Sequence, residues 1–192
     1  MHTEPATSDA QAIDTLPTPN PDALMFKVQE VLIPSGTFEF RSSAQASSSP
    51  LPRRIFDIDG VLSVLVAPRF VTVNKDPETP WPLLVPEIKV AIRDFLDSGD
   101  VALDSTETPD AVRSDDPIVA KVQALLDDFI RPALAQDGGD ILFRGVEDGV
   151  VLVTLIGSCS SCPSSTATLF YGVERMILEE LPELVGVRTV EL

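Results

Sequence analysis

Histidine, tryptophan and tyrosine occur once each in the 192 residues of this chain, and cysteine only twice. The one histidine, His2, lies at the extreme N-terminus and is given no role, so any metal site must manage without imidazole ligands. Basic residues are scarce too: 14 Lys and Arg face 30 Asp and Glu, a net charge of -16. A surface that negative repels phosphate backbones and anionic lipid headgroups, so nucleic acid and membrane surfaces are excluded as partners. No apolar run approaches the roughly 18 to 20 residues of a membrane span. Residues 1–16 hold Glu4, Asp9 and Asp14 but neither Lys nor Arg. They lack the basic start of a secretory signal and the Arg-rich face of a transit peptide. The expectation is a protein of the bacterial cytoplasm.

What is present is an ordinary globular balance, 44% apolar and 23% charged, in a length that suits one large or two small domains. Charge places the boundary. Between 97 and 116 stand Asp97, Asp100, Asp104, Glu107, Asp110, Asp115 and Asp116 against the single base Arg113, interleaved with Ser, Thr, Gly and Pro. Such a stretch buries little and is expected to be a solvated linker. The partition is therefore a disordered tail at 1–16, a first domain at 17–96, an acidic linker at 97–116 and a second domain at 117–192. The expected class is α+β, two small domains joined by the linker.

The first half is dense in proline, so its elements must be short. Val28–Ile33 and Thr37–Phe40 read as strands about Pro34-Ser35-Gly36, and Val61–Val66 and Phe70–Lys75 as a strand pair. Leu84, Ile88, Ala91, Ile92 and Phe95 recur at helical spacing, and Trp81 is expected to pack rather than to form a contact surface. In the second half Asp116-Pro117 opens a helix whose apolar stripe runs from Ile118 to Ala133, with Pro132 expected to kink its end before Asp137-Gly138-Gly139 stops it. Ile141–Val146 and Val150–Ile156 read as strands turned by Asp148-Gly149, followed by a helix through Leu169, Val173, Met176 and Ile177 and a last strand at Val185–Val190.

The two cysteines, Cys159 and Cys162, form a Cys-x-x-Cys between a strand end and a helix start that Pro163 opens. A helix N-terminus favours anions, so both thiols are expected to be exposed, to have lowered pKa values and to bind soft metals as thiolates. Zinc, an iron-sulfur cluster and a dithiol/disulfide couple are all compatible with the spacing. A structural zinc or a cubane cluster wants four ligands, and one chain has two thiols. Two chains facing each other across a two-fold axis would complete either site, whereas the redox couple needs no dimer.

Around these cysteines the chain resembles the Nfu family of iron-sulfur scaffold and carrier proteins, which share a domain with the C-terminal part of NifU. The resemblance rests on Ile130-Arg131-Pro132-Ala133, Gln136-Asp137-Gly138-Gly139-Asp140 and the run from Gly157-Ser158-Cys159-Ser160-Ser161-Cys162-Pro163 through Leu169. In the first half it rests on Thr18-Pro19-Asn20-Pro21, Leu24, Phe26, Ile58-Asp59-Gly60-Val61 and Phe70-Val71-Thr72-Val73. It implies a non-catalytic protein in which Cys159 and Cys162 of two protomers bridge one 4Fe-4S cluster per homodimer. The cluster would come from an upstream donor and pass to apo iron-sulfur client proteins. The Asp137–Asp140 motif reads first as a helix stop and turn, with a share in contacts around the cysteine loop. No cysteine lies between residues 1 and 100, so the first domain is expected to recognise clients or donors, with Trp81 and the Phe70 strand as possible surface elements.

Overall fold

The structure, a computed structural model, describes residues 12–103, 116–160 and 163–190, with side chains from 170 onward in the last stretch. The chain is α+β, with two sheets among the described residues. The first lobe contains β1 (Asp14–Pro17), β2 (Ala23–Lys27), β3 (Phe38–Phe40), α1 (Pro50–Phe56), β4 (Val61–Ala67), β5 (Phe70–Lys75) and α2 (Trp81–Ser98). Its five strands pair antiparallel in the order β1-β2-β5-β4-β3. Alternation along the strands gives the sheet two apolar faces. Val64, Val66, Val71, Val73 and Phe26 pack against α1 and α2, whose Leu51, Ile55, Leu84, Ile88, Ile92 and Phe95 are buried. Leu65, Ala67 and Phe70 point the other way.

Helix α2 begins with Trp81-Pro82, where a missing N–H breaks no helical bond, and ends at Gly99, whose φ of 68° forms a left-handed cap. Trp81 packs against the lobe's core and donates its indole N–H to the Pro21 carbonyl at 3.0 Å.

Three expectations for this lobe need correction. The tail is shorter than sixteen residues, because Ile13 is buried in the core and Asp14–Pro17 pairs with β2. Val28–Ile33 is not a strand: the Val28 and Leu32 amides bond to the Arg69 and Pro68 carbonyls, so this run wraps the β4–β5 turn and buries Leu32 and Ile33. The strand lies just before it, at Ala23–Lys27. The linker starts later than residue 97, since α2 runs to Ser98 and Ala102 and Leu103 are buried against the first core. The acidic remainder, 104–115, lies outside the described residues.

The second lobe opens with α3 (Pro117–Leu125), capped by the Asp116 carboxylate, which accepts from the Ile118 amide at 2.9 Å. The helix continues through a π-helical turn at Leu126–Ile130 into α4 (Arg131–Gln136). Pro132 lacks an N–H and would press its ring on the carbonyl four residues back, so a widened turn immediately before it fits the expected disturbance. Then follow β6 (Gly139–Glu147), β7 (Val150–Gly157), α5 (Pro163–Glu180) and β8 (Gly186–Thr189). β6 and β7 are antiparallel, and β8 returns parallel to β7 through the α5 crossover. Positive φ at Asp148 (50°) and Gly149 (78°) is the turn that Asp-Gly selects. The core joins Val122, Leu126, Ile130 and Leu134 to Val151, Val153, Leu155, Val173 and Ile177.

The lobes touch where β7 ends. Leu65 and Ala67 of β4 form a small buried cluster with Ile156 of β7, flanked by Phe70 and Leu142. The Phe70 strand is therefore an interlobe surface.

Candidate functional site

β7 delivers the chain to a turn, Gly157–Ser160, that carries Cys159 four positions ahead of α5. Gly157 has φ of 72°, and a Cβ there would lie 2.6 Å from the Gly138 carbonyl oxygen and 2.8 Å from Leu65 Cδ1. Only glycine combines that backbone with that close approach. The Ser158 amide donates to the Gly138 carbonyl at 3.2 Å, and the Ser158 hydroxyl donates to the Asp137 carbonyl. A Cβ at Gly139 would lie 2.4 Å from Cys159 Sγ. The Asp137–Asp140 motif thus both ends the helix and forms the floor on which the cysteine sulfur rests.

Cys159 is only 6% exposed and belongs to the second lobe's core. The expectation of an exposed thiol with a lowered pKa is overturned for this residue. Burial pushes its pKa up, the contact from Ser158 pulls it back, and the acids Asp137, Asp140 and Glu39 add to the rise. The sulfur rests against Gly139, the first residue of β6, rather than at the surface. Cys162 and its neighbour Ser161 lie outside the described residues. Among the described residues no group of three or more His, Cys, Asp or Glu side chains is placed to hold a metal ion.

Sequence reasoning missed the part of the site that comes from the first lobe. Glu39 reaches from β3 with a side chain only 1% exposed. Its Oε1 accepts from the Gly157 amide at 2.8 Å and lies 3.4 Å from the Ser160 hydroxyl, while Oε2 takes Arg41 Nε at 2.8 Å. Asn20 donates to the Ser158 carbonyl and Asn74 to the Gly157 carbonyl, each at 3.3 Å. The Thr37 hydroxyl donates to Asp140, whose own pKa burial raises. Asn20, the β5 strand and the Thr37–Phe40 strand lay within stretches the sequence singled out, but none was read as part of the site. Glu39 stands in a three-residue strand with no distinguishing pattern.

Comparison with known proteins matches both lobes. Residues 13–99 fit the family described as "Scaffold protein Nfu/NifU N terminal", and residues 122–188 fit the NifU-like domain. The chain belongs to the Nfu family of scaffold proteins, with both of the family's domains. It is 43% identical over 182 residues to the human protein named "NFU1 iron-sulfur cluster scaffold homolog, mitochondrial", covering 93% of this chain and 71% of that one. It is 41% identical to "NifU-like protein 5, mitochondrial" of Arabidopsis thaliana, covering 91% of this chain and 66% of that one. Against several Drosophila relatives it spans 64% of their length. A solution NMR structure of a NifU-like protein from Saccharomyces cerevisiae shows 28% identity and a TM-score of 0.47, over 55% of this chain and 94% of that one. The expected bacterial cytoplasm is corrected by these relatives, which are named as mitochondrial. The acidic composition of residues 1–16 was no measure of compartment.

Proposed function

We propose that this chain is a non-catalytic iron-sulfur scaffold and carrier, in which Cys159 and Cys162 of two protomers bridge one 4Fe-4S cluster and release it to apo iron-sulfur proteins. The observation that carries this reading is the pairing of family membership with a ligand set that is half complete. The chain's only two cysteines stand at the junction of β7 and α5, in a domain matching the NifU-like family. A cubane cluster takes four thiolates, so two such motifs meet its demand and one does not. The cluster is cargo here, and what the chain supplies is thiolate ligation, a two-fold arrangement and a route for exchange. A client's thiolates can replace ligands one at a time, because each protomer holds the cluster by only two bonds.

The test is anaerobic reconstitution of the reduced full chain with iron and sulfide, read by visible absorption, iron content and sedimentation. The expected result is a brown dimer at four irons per two chains, converting to monomer as an apo-client acquires the cluster. Cys159→Ser and Cys162→Ser should each abolish the stable chromophore, since a hydroxyl is a poor ligand for soft iron. The Cys159 variant should also lose about 1 kcal/mol of stability, because it puts a hydroxyl in place of a buried sulfur. A monomer at full iron content, or a Ser variant that reconstitutes to the parent's iron content, would sink the bridging arrangement.

A further inference from the structure

The cysteine turn is not pinned by its own domain alone. Two of its backbone carbonyls, one backbone amide and one hydroxyl meet first-lobe side chains: Gly157 O meets Asn74, Ser158 O meets Asn20, and Gly157 N–H and the Ser160 hydroxyl meet Glu39. Leu65 closes the apolar side against Ile156, within 2.8 Å of where a Gly157 Cβ would stand. A carboxylate as deeply buried as Glu39 costs desolvation, and it is retained here with one oxygen on Arg41 and the other on the cysteine turn. The turn cannot offer Cys159 to a second protomer while it is held this way with the sulfur packed inward.

The same contact also carries features of a reversible interface. The Thr72 hydroxyl, wholly buried against Gly138, has no hydrogen-bond partner among the described residues, and separation would give it water. Both lobes carry more acids than bases, so they repel one another at low salt. The apolar contact is small, formed by Leu65, Ala67 and Ile156 with Phe70 and Leu142 at its edge. Interfaces this polar and this small between domains of one chain open readily.

We infer that the first lobe is a reversible cap on the cysteine turn, with Glu39 as its latch, and that undocking of this cap precedes pairing of two protomers around a cluster. This rests on the cluster reading above for its cargo, though the capping itself does not depend on it. In the docked form the turn is held closed and its sulfur is withheld from solvent and metal. In the undocked form Gly157, Ser158 and Ser160 lose their first-lobe partners, and the turn is free to swing Cys159 outward.

The cap is tested on the reduced full chain carrying Cys162→Ser, which leaves Cys159 as the sole thiol. Its alkylation rate with iodoacetamide, a neutral reagent, is compared among Glu39→Ala, Glu39→Gln, Leu65→Ser and the surface control Glu87→Ala. Trp81 fluorescence reports that the first lobe remains folded. The latch variants are expected to react at least about tenfold faster, the size of effect that follows loss of a charged hydrogen-bond partner, and the control at the parent rate. Equal rates in folded latch variants and parent overturn the cap.

Amide exchange in the unsubstituted chain gives an answer that does not depend on any variant folding. Gly157 should exchange by a local opening that leaves Val151 and Val153 protected. Exchange of all three only through global unfolding overturns the proposal. With both cysteines present, Glu39→Ala should also take up cluster faster than the parent. Faster alkylation with an unchanged loading rate overturns the gating role. Faster alkylation in a protein that never takes up iron upholds the cap and removes the cargo assignment instead.

Discussion

A single methyl group added beneath the cysteine turn should be felt more than most surface substitutions. Gly139→Ala would drive a Cβ to 2.4 Å from Cys159 Sγ and 3.0 Å from the Ile156 carbonyl oxygen, so either the sulfur or the strand must move. A loss of about 1–3 kcal/mol is expected in urea unfolding, the usual range for overpacking. A change below about 0.5 kcal/mol would show that the sulfur does not rest there. Asp140 supplies the pH prediction. Its pKa lies above the ordinary 3.8 chiefly through burial, so the folded chain binds that proton more tightly than the unfolded chain does. Its contribution to stability is therefore fullest below about pH 4 and declines as pH rises through the window from 3.8 to the raised folded value. Asp140→Asn should leave the melting temperature unchanged near pH 3 and raise it by a few degrees at pH 7. A variant equally shifted at both pH values would refute the assignment. The Cys-x-x-Cys spacing pointed to the thiols, whereas the burial of Cys159 was not legible in it. Whether that sulfur faces water depends on its packing onto Gly139, twenty positions earlier in the chain, and the Asp137–Asp140 motif pointed to contacts around the loop without showing that they bury the thiol.

Elements were legible wherever one periodicity ran unbroken between turn signals. β4, β5, β6, β7 and α2 announce themselves by alternation or by helical spacing, and the Asp148-Gly149 hairpin by its turn residues. Failures cluster where proline is dense. Helix α1 was overlooked because Pro50 and Pro52 look like breaks, yet both sit in its first turn, where no intrahelical amide is required. The Val28–Ile33 run looks like a strand by composition, but its amides bond to the β4–β5 turn rather than to a neighbouring strand. The hairpin gives the element-scale prediction. Gly149 sits at φ 78° with Val185 3.4 Å from where its Cβ would be, so Gly149→Ala should cost about 1 kcal/mol in thermal unfolding. Asp148→Asn should be neutral or mildly stabilising, since Asn tolerates the left-handed region at least as well. Equal effects from the two substitutions would argue against the turn geometry.

At the scale of the whole molecule, two α+β domains could be read from charge and pattern, but the contact between them could not. That contact is made by residues more than a hundred positions apart, such as Glu39 with Gly157 and Asn20 with Ser158. It makes a prediction for the isolated second lobe. A fragment from Asp116 to Leu192 should fold, because its core is its own, but should melt lower than the same lobe within the full chain, as Ile156 and Leu142 lose their cover. Differential scanning of the two proteins checks this, and identical melting of the lobe in both contexts would show that the contact contributes no stability. The doubly apolar sheet of the first lobe also bears on how the protein is made. A ribosome delivers Leu65, Ala67 and Phe70 long before it delivers Ile156 and Leu142. During that interval the nascent sheet presents a greasy face with nothing to lay against it. Premature termination anywhere between α2 and β7 should therefore yield a product that folds and then self-associates, making the released half-chain a burden on the quality-control machinery rather than a harmless remnant.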